Sequence, residues 1–192
     1  MFLVELTQQA IDVQRLLRAV SHPDAGGEVL FLGTTRRFTA AGSACRCSVV
    51  ESVADSDANY DAVHQLAKLS VSSELAPKPN SVGSITEYLV YEAHETMALK
   101  QMNQLARQAA ERWPLKAVAI VHRLGKVCPE EASIAIAVCS PHRSEAYEAS
   151  RWLIDSIKHD VPIWKQEHFA DSSSSWVHPD WTQSDECSGT KR

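Results

Sequence analysis

The chain has no apolar run near the roughly 20 residues needed to cross a bilayer. Val29-Leu30-Phe31-Leu32 and Ala117-Val118-Ala119-Ile120-Val121 are strand-sized. A basic excess is also missing. With 24 acidic and 19 basic residues the formal charge is −5, which argues against a general binder of nucleic acid or of anionic membranes. Met1-Phe2-Leu3-Val4-Glu5-Leu6 lacks a basic n-region and carries an acid inside its apolar stretch, so no signal peptide is expected. Metal-ligand spacing is absent as well. Cys45 and Cys47 are too close for a routine disulfide, and Cys128, Cys139 and Cys187 stand far apart. A reduced, cytoplasmic setting is expected. Cys139 lies in an apolar run and reads as a small core residue. No internal repeat is visible.

What is present suits one globular α+β domain. Hydrophobic residues at 44% and charged residues at 22% exclude global disorder. Residues 2–6 read as a strand, and Thr7 as the cap of a helix over 8–20. Residues 28–32 read as a buried strand ending at Gly33, which lets the chain turn into Thr34-Thr35-Arg36-Arg37. Residues 44–84, with Ser and Asp clusters and Pro77-Lys78-Pro79, read as a surface insertion holding a strand over 45–51 and a helix over 60–75. Beyond it come a strand over 85–91, an amphipathic helix over 94–113 stopped by Pro114, and strands over 117–123 and 133–138 joined by a loop. Met97 and Met102 read as core. Ser140-Pro141 reads as a helix start, Ser as cap and Pro as first residue. Residues 163–169 form a further strand, Trp176-Val177 an edge, and 183–192 a loose tail. The domain thus spans 1–182.

Candidate chemistry lies between Ser140 and Glu167. His142 and Arg143 stand at the start of a helix, whose free N–H groups and partial positive charge suit an anion. Lys158 falls about 40° from Ile154 around the helix, at the edge of the buried stripe. In a strand, Ile163, Lys165 and Glu167 share one face. They offer an ammonium beside an orienting carboxylate if that face looks into a cleft. Arg36 and Arg37 follow a buried strand.

These segments together resemble the large, catalytic subunit of molybdopterin synthase. The resemblance runs through Gly27-Glu28-Val29-Leu30-Phe31-Leu32-Gly33-Thr34-Thr35-Arg36, Tyr88-Leu89-Val90-Tyr91-Glu92-Ala93-His94 and Arg112-Trp113-Pro114-Leu115. It continues through Val121-His122-Arg123-Leu124-Gly125, Ser140-Pro141-His142-Arg143-Ser144-Glu145-Ala146 and Lys158-His159-Asp160-Val161-Pro162-Ile163-Trp164-Lys165-Gln166-Glu167. His-Arg-x-x-Ala and Pro-x-Trp-Lys-x-Glu are its most specific parts.

The resemblance implies that family's fold, a mixed or antiparallel sheet with packed helices. It implies sulfur transfer from the C-terminal Gly-Gly thiocarboxylate of a small ubiquitin-like subunit to cyclic pyranopterin monophosphate, giving the molybdopterin dithiolene. It implies Lys158 and Lys165 as catalytic residues, Arg36, His142 and Arg143 as substrate-binding, and Glu167 as orienting Lys165. It implies a homodimer within a heterotetramer, with no metal or cofactor. A non-catalytic protein of the same fold, holding a pterin phosphate or a ubiquitin-like tail, is the alternative; the two lysines argue against it. A hydrolase using Cys139 or His142 lacks a nucleophile–base–orienter set. The chain departs from the family pattern in the insertion, in Pro129-Glu130-Glu131, which lacks the usual glycine after proline, and at His178-Pro179-Asp180.

Overall fold

Apolar strands with a cluster of buried side chains on each face of one sheet set the architecture. In the computed structural model, residues 1–39 and 84–177 are described. Their nine strands are β1 (Phe2–Thr7), β2 (Gly27–Thr34), β3 (Phe38–Thr39), β4 (Ser84–Ala93), β5 (Ala117–Arg123), β6 (Gly125–Val127), β7 (Ala132–Ser140), β8 (Ile163–Phe169) and β9 (Ser174–Val177). Their three helices are α1 (Val13–Val20), α2 (Glu95–Arg112) and α3 (Arg143–Asp160). The insertion with its expected strand and helix, and the 183–192 tail, lie outside the described residues.

The strands form two sheets. The first runs β1-β5-β7-β2, with β1 parallel to β5 and the other pairs antiparallel. The second runs β3-β4-β8-β9, antiparallel throughout, with β6 pairing β4. This is the mixed α+β arrangement expected from the sequence.

The first sheet is covered on both faces, which explains why β5 and β7 read as nearly continuous apolar runs. Val118, Ile120, Ile134, Ile136 and Val138 pack under α2 and α3 with Met102, Leu153 and Ile157. Ala117, Ala119, Ala135, Ala137 and Cys139 face α1 through Leu16 and Val20. Small residues on that face let a helix of two turns lie close. Cys139 is a buried core residue, and burial pushes its thiol pKa up.

Several boundaries differ from the expected ones. α1 begins at Val13 because Asp12, not Thr7, caps it: the Asp12 carboxylate accepts from the Arg15 N–H at 3.0 Å. The Thr7 hydroxyl oxygen instead accepts from the Gln9 N–H. β7 runs on through Ser140, which pairs with Gly27, so the cap of α3 is His142. The expected loop between β5 and β7 contains β6, whose register with β4 is a tertiary contact. Met102 is fully buried, but Met97 is 48% exposed and is not core.

β3 pairs with β4 through Phe38↔Ile85 and Thr39↔Ser84. The chain therefore leaves the described fold at Thr39 and re-enters it beside that residue. A segment between adjacent ends tolerates length at small entropic cost.

Candidate functional site

Strand and helix directions sort the candidate cations into two groups. β2 and β7 are antiparallel, with Gly27 opposite Ser140 and Thr34 opposite Ala132. Arg36, just past β2, therefore lies at the Ala132 end. His142 and Arg143, just past β7, lie at the Ser140 end. A strand of eight residues separates them by about 26 Å. α3 packs back over the sheet, and its 18 residues span about 27 Å. That length returns Lys158, in its last turn, to the Arg36 end.

Lys165 belongs to the same end. It stands opposite Tyr91 across β8 and β4, and Glu167 stands opposite Leu89. Burial pushes the Tyr91 phenol pKa up, against an opposing, smaller effect of the hydroxyl of Ser133, the second residue of β7. The ring of Tyr91 meets that of His122 edge-on, with centroids 5.1 Å apart. His122 sits near the end of β5, opposite Ile134. Arg36, Lys158, Lys165 and Glu167 thus lie toward one end of the first sheet, the last two on the second sheet beside it; within one chain, His142 and Arg143 occupy the other end.

Lys165 and Glu167 share a strand face, as period-two alternation requires. The Lys165 Nζ donates to Glu167 Oε1 at 3.3 Å. The lysine side chain is 35% exposed and the carboxylate 7%. A buried carboxylate thus holds an ammonium that still reaches solvent. Charge-assisted bonds of this kind are the stronger ones in proteins, and they fix direction.

His122 is buried, and desolvation pushes its pKa down to about 4, despite the Arg123 carbonyl within hydrogen-bond distance of Nδ1. It is neutral near pH 7.

Arg36 and Arg37 differ. Arg37 reaches Glu130 at 3.9 Å, while Arg36, Arg143 and Lys158 have no ion-pair partner among the described residues. Lys158 is exposed, further out than the edge of the buried stripe. The Arg36 loop is pinned from below: the Thr35 N–H donates to the Glu131 carbonyl, and the Glu130 N–H to the Thr35 carbonyl. Glu131 is itself held by Arg123 and by the Cys128 N–H. Gly33 does not turn sharply; it stays in β2. A β-carbon there would lie 2.6 Å from Ile134 Cγ2, so close approach is what requires the glycine.

The start of α3 is packed just as tightly. A β-carbon on Gly26 would meet the Pro141 carbonyl oxygen at 2.4 Å, and one on Gly27 would meet Arg143 Cα at 3.0 Å. The Ser140 hydroxyl donates to the His142 carbonyl. The His142 side chain caps nothing, so the first N–H groups of the helix have no side-chain partner from it. His142 and Arg143 are both exposed there. Free N–H groups with two basic side chains form a place for an oxyanion.

A molybdopterin synthase catalytic subunit from Aedes aegypti is 34% identical over 189 residues, covering 98% of this chain and 93% of that protein. The chain belongs to the molybdopterin synthase catalytic subunit family. A family model described as MoaE protein matches residues 78–160. The crystal structure of molybdopterin synthase from Staphylococcus aureus superposes with a TM-score of 0.64 at 28% identity, covering 90% of this chain and 95% of that one. A chain in a complex of subunits 1 and 2 of molybdopterin-converting factor from Helicobacter pylori shares the fold, with a TM-score of 0.56 at 16% identity over 93% and 90%. As a family member, the chain is a sulfurtransferase of molybdenum-cofactor biosynthesis.

Sequence reasoning missed Tyr91, Ser133 and His122. They come from three strands of two sheets, and no spacing in the sequence marks them as neighbours.

Proposed function

We propose that the Arg36–Lys158–Lys165 end of the sheet is where sulfur passes from the C-terminal thiocarboxylate of a small ubiquitin-like subunit to cyclic pyranopterin monophosphate. The observation that carries this reading is the Lys165–Glu167 pair. Its ammonium is solvent-accessible and aimed by a buried carboxylate. An incoming thiocarboxylate is an anion, and an ammonium held in one place neutralises it without having to reorganise. Lys158, free of any ion pair among the described residues, is the second amine, placed to give or take a proton at the pterin carbons. Arg36 binds substrate oxygen atoms beside them.

His142 and Arg143 bind phosphate from the far end of a second chain. Within one chain they stand a strand length from Lys165, so one small substrate cannot touch both groups. A homodimer resolves this if the α3 start of one copy faces the Lys165 end of the other. One small subunit docked on each copy makes a heterotetramer, and the Helicobacter pylori relative forms a complex of two subunits. The setting is the cytoplasm, and no described helix is long and apolar enough to cross a membrane.

The test is a sulfur-transfer assay with thiocarboxylated small subunit and the pyranopterin substrate, run alongside mixed dimers of Lys165→Ala and Arg143→Ala chains. At a substrate concentration well below the Kd of Arg143→Ala, each variant alone should transfer little sulfur. The mixture should regain up to about a quarter of the wild-type rate, because half of the dimers are mixed and each mixed dimer holds one intact site. A mixture no better than its components rules out the shared site.

A further inference from the structure

The loop that carries Arg36 leaves its sheet at a break in the ladder. Gly33 pairs with Ile134 and Thr34 with Ala132, so Ser133 is an extra residue on β7, a β-bulge. Past that break, strand pairing no longer fixes the chain. Two backbone bonds take over at Thr35, which is buried although the next residue, Arg36, is exposed. The Thr35 N–H donates to the Glu131 carbonyl at 3.0 Å, and the Glu130 N–H donates to the Thr35 carbonyl at 2.9 Å. The course of the chain at Arg36 is therefore set by the turn from Cys128 to Glu131.

One carboxylate holds that turn. Glu131 Oε2 accepts from the Cys128 N–H at 2.8 Å and from Arg123 Nη1 at 3.2 Å. Arg123 Nη2 donates to the Lys126 carbonyl at 3.0 Å. The guanidinium thus bridges β6 and the turn that follows it, a span that suits a planar fork better than a single ammonium. Arg123 itself ends β5, an interior strand of the first sheet. Its side chain is 13% exposed and its terminal nitrogens already have internal acceptors, so it serves the turn and not a substrate anion.

We infer that Arg123 and Glu131 are positioning residues for substrate binding: their ion pair fixes the Cys128–Glu131 turn, the turn fixes the Thr35 backbone, and Thr35 fixes where Arg36 stands. The inference rests on the reading of Arg36 as a substrate-binding cation. Its physical basis is preorganisation. A long side chain on a loose loop loses backbone and rotamer freedom when it meets an anion, and one on a pinned backbone loses less. Loosening the turn therefore weakens substrate binding and leaves the chemical step at Lys165 nearly unchanged.

The experiment is calorimetric titration of cyclic pyranopterin monophosphate into the whole chain, with Glu131→Ala and Arg123→Lys each made in the wild-type and Arg36→Ala backgrounds. Arg36→Ala should weaken binding about tenfold or more, the loss of one charge-assisted bond. Glu131→Ala and Arg123→Lys should each weaken it about three- to tenfold in the wild-type background, and no further where Arg36 is already gone. At saturating substrate, kcat for both should stay within about twofold of wild type. Glu131→Gln keeps an oxygen for the same donors and should retain most of the affinity. Arg123→Lys, which keeps the charge and loses only the fork, carries the test if Glu131→Ala does not fold. A second readout needs no substrate: hydrogen exchange at the Thr35 amide should be faster by about tenfold or more in Glu131→Ala.

Equal losses of affinity in both backgrounds overturn the inference, because the pair then acts by some route other than Arg36. So does unchanged affinity in Glu131→Ala and Arg123→Lys while Arg36→Ala binds weakly, or unchanged exchange at Thr35. Unchanged affinity in Arg36→Ala overturns the reading of Arg36, and the inference falls with it.

Discussion

Lys165 and Glu167 form an unequal pair: the ammonium reaches solvent, and the carboxylate that binds it at 3.3 Å is buried. The two partners therefore fail differently when removed. Lys165→Ala leaves a buried carboxylate without its donor, at about 1–3 kcal/mol of stability. Glu167→Gln removes the buried charge and leaves a lysine that water can solvate, with little loss or a small gain in stability. Both should lower sulfur transfer, Lys165→Ala by about 10²–10⁴-fold and Glu167→Gln by less. Denaturant midpoints and single-turnover rates check this. Equal destabilisation by both variants would show that the pair is not unequal. Lys165→Arg should not rescue transfer, since a guanidinium cannot readily lose a proton.

Arg143→Ala and His142→Ala should weaken binding of the pterin substrate more than docking of the small subunit. A phosphate depends on a few charge-assisted bonds of about 1.5–3 kcal/mol, so about 10–150-fold in Kd is at stake in each. A protein partner spreads its contacts over a wide surface. Calorimetric titration with each ligand separates the two. Unchanged substrate affinity in both variants would remove the anion site from the start of α3.

His122 makes stability depend on pH in a calculable direction. Its folded pKa of about 4 lies below the ordinary 6.5, so between those values the unfolded chain binds the extra proton. Stability should fall as pH drops from about 6.5 to about 4, by up to about 3 kcal/mol from this residue, and should be indifferent to it above 7. Comparing wild type with His122→Gln by urea unfolding at pH 7, 6, 5 and 4 isolates the effect. The two pH profiles should converge toward acid. Parallel profiles would mean that His122 titrates normally.

Glu130 has φ of 73°, in the left-handed region that favours glycine. That conformation costs an ordinary residue about 1–2 kcal/mol, and glycine's greater freedom when unfolded offsets part of the relief. Glu130→Gly should therefore raise stability by about 0.5–1 kcal/mol, and Glu130→Ala should not. Both variants also remove the ion pair with Arg37, which is long and exposed, and exposed pairs contribute little. Thermal unfolding of the two variants distinguishes backbone relief from a charge effect.

These features are unevenly legible in the sequence. β5 and β8 are readable to the residue, because turn and breaker residues bound both: Pro114 and Gly125 flank β5, and Pro162 and the Ser172–Ser175 run flank β8. The common face of Lys165 and Glu167 follows from strand periodicity alone. The start of α1 is ambiguous because Thr7 and Asp12 are both capping residues, and only packing of Leu16 and Val20 decides between them. Ser140-Pro141 carries a helix-start signal, yet the pairing of Ser140 with Gly27 keeps Ser140 in the sheet. β6 has three residues and exists because β4 pairs with it. The separation of Arg36 from His142 and Arg143 needs strand direction, which residue types do not encode. The contacts of Tyr91 need the junction of two sheets.

The pairing of β1 with β5 has a consequence for how the protein comes into being. The Met1 amino group donates to the Lys116 carbonyl, 115 residues on, and Phe2 pairs with Val118. While the chain is being synthesised, β1 waits for more than half of its length before a partner exists, and β2 waits longer for β7. Contacts this distant in sequence slow folding and leave strand edges open to other chains. Lys165 arrives later still, on β8. The Lys165–Glu167 pair is thus assembled late, and a chain interrupted before β8 holds most of the scaffold without it.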